Sequence, residues 1–365
     1  MANSPKYMDI VLWTRRQMAE GVFLPGDKFL SETALQERFG VSRQTVRRAL
    51  DDLTQAGQVV RLQGSGTYIS GVNLSSRQSL KTPPPGTSMT VGIVSLYLDN
   101  YIFPGIIRGV ESVFTSSGHN ILVVSTQNEL MGETRALQRM LDARPAGLIV
   151  EPTKSGLPCV NLDLYQEIQR RGMPLVFTDS RYAEVSAPCV ALDDQAVGYQ
   201  ATEYLIQMGH RNIVGIFSHS NSAGQLRYLG HMKALAAHGL PLRDDLIHWY
   251  NQEEMRQVLT GELFLNSLSG CSAALCYNDH LATILMELLT ERGYNIPRDL
   301  SVVSIDNTAL AQMRDITSVV HPSERIGEAA AKLLLSMIYG SPGESILFPP
   351  ELIARGSVKP LEEAL

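Results

Sequence analysis

A long alternation of short apolar segments with helical or turn segments constrains the fold of this chain more than any other feature. The apolar segments read TVGIVSLYL, NILVVST, GLIVEP, PLVFTD, CVALDD, NIVGIFS, AALCYND and LSVVSIDN. Apolar residues also recur at helical spacing over residues 104–117 and 132–143. This alternation predicts an α/β fold whose parallel sheet is covered by helices. So many units usually divide into two lobes, with a ligand cleft at the carboxyl ends of the strands.

Polar residues collect where these predicted strands end. They are Glu151, Asp179, Asp193, Asp194, Asn278, Asp279 and Asp306. Tyr101 and Phe103 follow the first strand, and Glu151 and Lys154 follow the third, so we expect all four at the mouth of the cleft. A surface ion pair between Glu151 and Lys154, or a core position for Phe103, is about equally compatible with the sequence.

Three further side chains are weaker candidates for the cleft. His321 follows the last predicted crossing between the lobes, and Tyr182 and Tyr277 lie near strand ends. A lone histidine is more often structural than functional, and the same holds for the two tyrosines.

The segment FGVSRQTVRRALDDL, residues 39–53, predicts an amphipathic helix near the N-terminus. Its apolar stripe has i, i+3, i+4, i+7 spacing and consists of Val46, Ala49, Leu50 and Leu53. The opposite face carries Arg43, Gln44, Arg47 and Arg48. Ser42 precedes the helix, where its hydroxyl can cap a free backbone amide.

The flanks of this helix indicate a winged helix-turn-helix. SETALQERF predicts a shorter helix capped by Ser31, with a tight turn at residues 40–41. QVVRLQGSGTYIS predicts a hairpin around Gly64 and Gly66. An ordinary solvated basic face would explain the single helix equally well, but the helix pair, the hairpin and the basic excess together favour DNA binding.

Composition divides the chain into three parts. Residues 1–72 contain nine Lys and Arg against seven Asp and Glu, although the whole chain has a net charge of −6. The segment NLSSRQSLKTPPPGTSM, residues 73–89, is polar and proline-rich and is typical of a linker. We therefore predict a DNA-binding domain at 1–72, a linker at 73–89 and an effector-binding domain at 90–365, which meet different partners.

The sequence argues against membrane, metal and enzyme functions. It has no apolar run of membrane-spanning length and no signal peptide, so we expect a cytoplasmic protein. The four cysteines are scattered and are expected to be reduced core thiols, without a metal or cofactor. The phosphate-loop, zinc-protease, nucleophile-elbow and dinucleotide-binding patterns are missing, so we expect no enzyme.

The N-terminal motifs FLSETALQERFGVSRQTVRRAL and QGSGTYIS resemble the GntR family of transcription regulators. The resemblance implies that Arg43 and Arg47 reach guanine edges or phosphates and that a wing enters the minor groove. The residues implied in DNA binding are Glu32, Ser42, Arg43, Gln44, Thr45, Arg47, Gln63, Gly64 and Gly66. Glu32 either orients Arg43 or stabilises the dipole of its own helix.

The larger part, with YIFPGIIRGVE, GLIVEPTKS, AALCYNDHLA and LSVVSIDN, resembles the sensor domain of LacI-type regulators and periplasmic sugar-binding proteins. The resemblance implies that Arg227, Asn278 and Asp306 are the principal sugar contacts. A GntR-type head on such a sensor is similar to arabinose-responsive repressors of Gram-positive bacteria. It implies a homodimer that binds double-stranded operator DNA and is released by a small sugar, L-arabinose. A different sugar, a sugar phosphate or an activator role stays open, whereas the DNA-binding head argues against a transport protein.

Overall fold

The computed structural model describes residues 6–19, 23, 27–55, 58–62, 66–69, 88–99 and 101–361. The chain forms two compact units, one made mainly of the residues up to 81 and the other mainly of the residues that follow. Of the predicted linker, only residues 88 and 89 are described. Every helix among the described residues is too short or too polar to cross a lipid bilayer.

The N-terminal unit has the predicted helix pair and hairpin. Its elements are α1 (Lys6–Ala19), α2 (Glu32–Phe39), α3 (Arg43–Gln55), β1 (Val59–Leu62) and β2 (Gly66–Ile69), with β1 and β2 antiparallel. Ser31 caps α2, because its Oγ accepts a hydrogen bond from the amide of Ala34 at 3.2 Å. Gly40 ends α2 with a φ of 60°, a left-handed conformation that glycine adopts without strain.

The predicted apolar stripe of α3 forms the core of this unit. Val46, Ala49 and Leu53 have no exposed surface, and Leu50 is 1% exposed. They pack in one cluster with Ile10, Val11, Phe29, Leu35 and Val59. The amphipathic interpretation of α3 is therefore confirmed.

The larger unit begins with the predicted alternation of strands and helices. The first lobe contains β3 (Thr90–Ser95), α4 (Phe103–Ser116), β4 (Asn120–Ser125), α5 (Leu130–Ala143), β5 (Leu148–Val150), α6 (Leu162–Arg170), β6 (Leu175–Thr178) and β7 (Cys189–Leu192). The second contains α7 (Asp194–Gln207), β8 (Ile213–Ser218), α8 (Ser222–Ala237), β9 (Ile247–Tyr250), α9 (Met255–Thr260), α10 (Glu262–Ser267), β10 (Ala273–Cys276), α11 (Asp279–Glu291), β11 (Ser301–Asp306), α12 (Ala309–Met313) and β12 (Thr317–Val320). The chain then returns through α13 (Ser323–Ile338), β13 (Ile346–Phe348) and β14 (Leu352–Ile353).

Each lobe is built on its own six-stranded sheet. The strand order is β13-β7-β6-β5-β3-β4 in the first and β14-β12-β11-β10-β8-β9 in the second. All pairs are parallel except β12 with β14. The chain crosses between the lobes three times, after β7, β12 and β13. The predicted two-lobed α/β architecture is thus confirmed.

Three strands, β9, β13 and β14, were not predicted from the sequence. All three lie at or next to sheet edges, and their residues are mostly exposed or half-buried. Strands buried on both faces appear as continuous apolar runs. The edge strand β4 has such a run, ILVV, and was predicted, whereas β13 and β14 are three and two residues long and β9 contains a histidine and an exposed tryptophan.

Candidate functional site

The exposed face of α3 carries the basic residues expected to contact DNA. The side chains of Arg43 and Arg47 are 66% and 54% exposed. Gln44 is also exposed, and Thr45 is half-buried beside it. The Oγ of Ser42 accepts a hydrogen bond from the Thr45 amide at 3.3 Å, so Ser42 caps the start of α3.

Glu32 joins the two arginines of this face. The Nε of Arg43 lies 2.9 Å from Glu32 Oε2, and the Nε of Arg47 lies 3.4 Å from Oε1. The hydrogen bond from Arg43 lowers the pKa of Glu32, although burial opposes that shift. Glu32 is also the first residue of α2, where a negative charge favours the helix dipole. The geometry therefore accommodates both roles considered for Glu32.

The other basic and wing residues are placed differently. The guanidinium of Arg48 lies 4.4 Å above the ring of Tyr7, so it stacks back on α1. Gly66 begins β2 and is paired with Leu62 across the hairpin. Gln63 and Gly64, predicted in the wing, lie outside the described residues.

A cavity of about 150 Å³ lies between the lobes of the larger unit. Four predicted residues, Tyr101, Phe103, Tyr277 and Asn278, line it. Leu96, Tyr97, Asn128, Ser218, Ser220, Asn221, Tyr250, Gln252 and His280 complete its wall. Ser218 ends β8, a predicted strand, so strand-end position was the signal that could have identified it, whereas Tyr250 ends β9, which was not predicted.

Arg227 is the centre of a buried charge cluster beside this cavity. Its Nε donates to Asp194 Oδ1 at 2.7 Å, and its Nη2 lies 3.6 Å from Asp306 Oδ1. Its Nη1 donates to the carbonyl of Tyr277 at 2.6 Å, and the guanidinium lies 4.6 Å above that ring. Burial raises the pKa of Asp194 to about 6, although Arg227 opposes the rise.

Close packing of two helices brings Arg227 to this position. A Cβ atom added at Gly198 of α7 would lie 2.0 Å from the Arg227 carbonyl oxygen on α8. Only glycine at 198 permits that approach, which places Arg227 against Asp194 in the first turn of α7.

Three buried acceptor oxygens around the cleft have no hydrogen-bond donor among the described residues. They are Oδ1 of Asn128, Oε1 of Glu151 and Oδ1 of Asp306. The other oxygen of Glu151 accepts from the Leu96 amide at 3.1 Å and from Ser95 Oγ at 3.2 Å. Burial, and then Asp179, raise the pKa of Glu151 well above its usual range. A buried polar atom without a partner is costly, so the Asn128 and Asp306 oxygens are well suited to accept hydrogen bonds from a ligand. The raised pKa of Glu151 favours a protonated carboxyl group, whose free oxygen can donate to a ligand.

His321 and Asp179 form a second buried pair. The Nε2 of His321 lies 3.0 Å from Asp179 Oδ1, and its Nδ1 lies 2.8 Å from Ser323 Oγ. Burial opposes the charge on His321, but Asp179 outweighs burial and raises the histidine pKa. The pair joins the end of β6 to the crossing between β12 and α13.

Two predicted residues, Tyr182 and Lys154, are not among the residues that line the cavity. The hydroxyl of Tyr182 lies 2.5 Å from the Thr153 carbonyl and 3.0 Å from Glu133 Oε2, inside the first lobe. Lys154 Nζ lies 3.8 Å from Glu253 Oε1 in the second lobe, so the alternative ion pair with Glu151 is not formed.

Asn278 and Phe103 show that a structural role and a cavity position are compatible. The Oδ1 of Asn278 caps α11 by accepting from the Leu281 amide at 2.9 Å. Phe103 is half-buried, and its ring lies 5.4 Å from that of Tyr97. Both side chains still line the cavity.

Comparison with known families assigns a match to each unit. Residues 7–69 match the family described as bacterial regulatory proteins, gntR family. Residues 202–358 match the periplasmic binding protein-like domain. Both resemblances inferred from the sequence motifs are therefore confirmed.

Two curated relatives match nearly the whole chain. The arabinose metabolism transcriptional repressor of Halalkalibacterium halodurans is 35% identical over 96% of each chain. The protein of the same name from Geobacillus stearothermophilus is 33% identical over 97% of this chain and 98% of its own. Among solved structures, the transcription regulator CcpA of Lactococcus lactis has a TM-score of 0.67 at 21% identity, covering 75% of this chain and all of its own. At that identity, the structural match supports the fold alone.

Proposed function

This chain belongs to the family of the arabinose metabolism transcriptional repressors, and on that basis we propose that it represses sugar-utilisation genes and leaves its operator on binding a small sugar. L-arabinose is the proposed effector. The N-terminal unit binds the DNA through α3, and the cleft of the larger unit binds the sugar.

The observation that carries the effector assignment is the set of unpartnered acceptors at the cleft, Asn128 Oδ1, Glu151 Oε1 and Asp306 Oδ1. A hydroxyl group both donates and accepts, so a ligand with several hydroxyl groups can form a hydrogen bond with each of these oxygens, including that of a protonated Glu151. Of the three residues, Asn128 lines the cavity, whereas Glu151 and Asp306 are not among its lining residues. Tyr97, Phe103 and further aromatic side chains line the cavity beside Asn128 and offer apolar faces to the C–H groups of a sugar ring. The arrangement therefore favours a polyhydroxy compound over an apolar ligand.

Size and charge favour a neutral monosaccharide. The cavity volume of about 150 Å³ is enough to hold one sugar ring. Arg227 is already paired with Asp194 and lies beside Asp306. A phosphate needs donors or positive charge that is not neutralised by neighbouring carboxylates, so a sugar phosphate suits this site poorly.

Repression requires that the sugar and the operator favour different states of the protein. We propose a cytoplasmic homodimer whose two α3 helices enter successive major grooves of a pseudo-palindromic operator. Sugar binding closes the two lobes and favours the state with lower DNA affinity. A coupling free energy of about 1–3 kcal/mol is typical of such linkage.

The experiment that tests the proposal is a fluorescence anisotropy titration. The full chain is bound to the DNA upstream of its own gene at fixed salt, and L-arabinose is added, with a random duplex as control. We expect specific binding that L-arabinose reverses. Specific binding that other sugars alone reverse would change the effector, and equal affinity for both duplexes would contradict the proposed function.

Replacement of Asp306 by asparagine is expected to weaken sugar binding by roughly tenfold to a hundredfold. The change retains the size of the side chain but removes a charged acceptor, and hydrogen bonds to charged groups contribute about 1.5–3 kcal/mol. Isothermal titration calorimetry measures the sugar affinity, and operator binding without sugar should persist. Asp142→Asn, an exposed position on α5, is the matched control. Equal sugar affinity in Asp306→Asn and wild type would exclude Asp306 from the site.

A further inference from the structure

The segment that follows β5 holds the two lobes together. The amide of Gly156 donates to the Ser220 carbonyl at 3.1 Å, and Gln225 Nε2 donates to the Gly156 carbonyl at 3.0 Å. The Oγ of Ser155 accepts from the Ser222 amide at 3.1 Å. Residues 153–156, which we call the bridging segment, therefore connect the first lobe to the start of α8.

The contact between the bridging segment and the second lobe is tight enough to exclude a side chain at Gly156. A Cβ atom there would lie 2.6 Å from the His219 carbonyl oxygen and 2.9 Å from the Asn221 amide nitrogen. Both neighbours are backbone atoms, so they cannot rotate away. The hydrogen bonds of the bridging segment to the second lobe therefore form in only one backbone conformation of the segment.

A buried carboxyl group of the first lobe stabilises that backbone conformation. Glu133, on α5, has no exposed surface. Its Oε1 accepts from the Thr153 amide at 3.1 Å. The hydroxyl of Tyr182 donates its one hydrogen to the Thr153 carbonyl at 2.5 Å and lies 3.1 Å from the same Glu133 oxygen. Both backbone groups of Thr153 are therefore tied to Glu133, one directly and the other through Tyr182.

The remaining contacts of Glu133 leave the carboxylate little freedom to turn. Tyr165 donates to Oε1 at 2.9 Å, and Asn161 Nδ2 donates to Oε2 at 2.7 Å. Thr134 Oγ1 in turn lies 2.6 Å from Asn161 Oδ1, which directs the amide of Asn161 toward Glu133. Each of these donors belongs to the first lobe, so the network is complete without the second lobe.

We propose that Glu133 is a positioning residue for the effector response: it shapes the bridging segment so that the lobes close over the sugar, although it does not line the cavity. This inference rests on the proposed function for its ligand. It also gives Tyr182 a role, because the tyrosine transmits the constraint from Glu133 to the Thr153 carbonyl. A carboxyl group suits the position because its oxygens accept from the surrounding amides and from Tyr165. Burial raises its pKa, which favours the protonated form that can donate to the Tyr182 hydroxyl.

The test compares Glu133→Gln and Gly156→Ala in the full chain, alone and combined. The glutamine replaces one acceptor oxygen by an NH₂ group that meets a donor, whereas the alanine leaves the Glu133 network intact and obstructs the contact itself. We expect each change to weaken L-arabinose binding by about tenfold or more. Operator affinity without sugar should stay at the wild-type value. Glu129→Gln, at the exposed start of the same helix, is the matched control and should bind sugar normally.

The double variant separates positioning from simple loss of stability. If both residues act through the bridging segment, the double variant should bind sugar no more weakly than the weaker single variant. Losses that add, or a lower melting temperature with unchanged sugar affinity, would overturn the proposal. Unchanged affinity in Gly156→Ala would overturn it even if Glu133→Gln failed to fold.

Hydrogen exchange gives a readout that does not depend on the identity of the sugar. The amides of Gly156 and Ser222 should exchange faster in Glu133→Gln than in wild type, while the amides of β5 and β8 keep their protection. If wild type fails to bind L-arabinose, the proposed effector is wrong, and this exchange still decides the role of Glu133. Equal exchange of Gly156 and Ser222 in both proteins would contradict the positioning role.

Discussion

Replacement of Arg227 by methionine is expected to lower the free energy of unfolding by about 3–5 kcal/mol, since it removes one partner of a buried ion pair. The side chains of Arg227 and Asp194 are each 4% exposed, and that of Asp306 is 3% exposed. Without the guanidinium, both carboxylates stay buried without a positive partner. Methionine keeps most of the side-chain length, so the loss reports charge rather than a large cavity. Urea denaturation monitored by circular dichroism measures the change.

The pH dependence of this variant provides an independent check. Asp194 already has a pKa of about 6 because it is buried, and loss of Arg227 should raise that pKa further. Between the unfolded pKa of about 3.9 and the folded value, the folded variant binds the extra proton, so its stability rises as the pH falls. The difference from wild type should therefore shrink in acid. Arg139→Met, exposed on α5, is the control, and an Arg227→Met protein as stable as that control would contradict the charge cluster.

The double replacement of Arg43 and Arg47 by alanine is expected to abolish most operator preference. A bidentate arginine–guanine contact contributes about 1–3 kcal/mol of discrimination, so two such contacts contribute about 2–6 kcal/mol. Both side chains are exposed on α3 and are held by the same carboxylate, Glu32. Anisotropy with operator and random duplex at one salt concentration measures the ratio of affinities.

Arg48→Ala is the matched control for this experiment. It lies on the same helix, but its guanidinium stacks on Tyr7, so its loss should leave the operator preference largely intact. Sugar binding should be unaffected in both proteins. A wild-type affinity ratio in the Arg43→Ala/Arg47→Ala protein would show that α3 does not read the operator.

Most strands and α3 could be predicted because their buried side chains form apolar patterns in the sequence. The strands from β3 to β8, together with β10 and β11, lie in sheets covered by helices and appear as apolar runs. The edge strands β9, β13 and β14 have no such runs, because β13 and β14 are only three and two residues long and β9 reads IHWY. Tyr250 at the cavity was missed for that reason, since it ends the unpredicted strand β9.

Strand-end position also located part of the candidate site, but not the role of each side chain. Tyr101, Phe103, Tyr277 and Asn278 line the cavity as expected. Tyr182 follows a strand in the same way, yet its hydroxyl bonds Glu133 and Thr153 within the first lobe. The direction of a side chain depends on its neighbours in space, which the sequence pattern does not contain.

The sequence by itself determined the winged helix-turn-helix, the two-lobed α/β architecture and the edge of the sheets where the cavity lies. These follow from local periodicity, capping residues and the rule that the carboxyl ends of parallel strands meet at one edge. Only the tertiary structure decided which polar groups pair and which remain available. His321 bonds Asp179 across 142 residues of chain, whereas Asp306 Oδ1 accepts no hydrogen bond from the described residues and lies 3.6 Å from Arg227 Nη2. Partners so far apart in sequence are selected by packing, because their distance is set only once the lobes have folded.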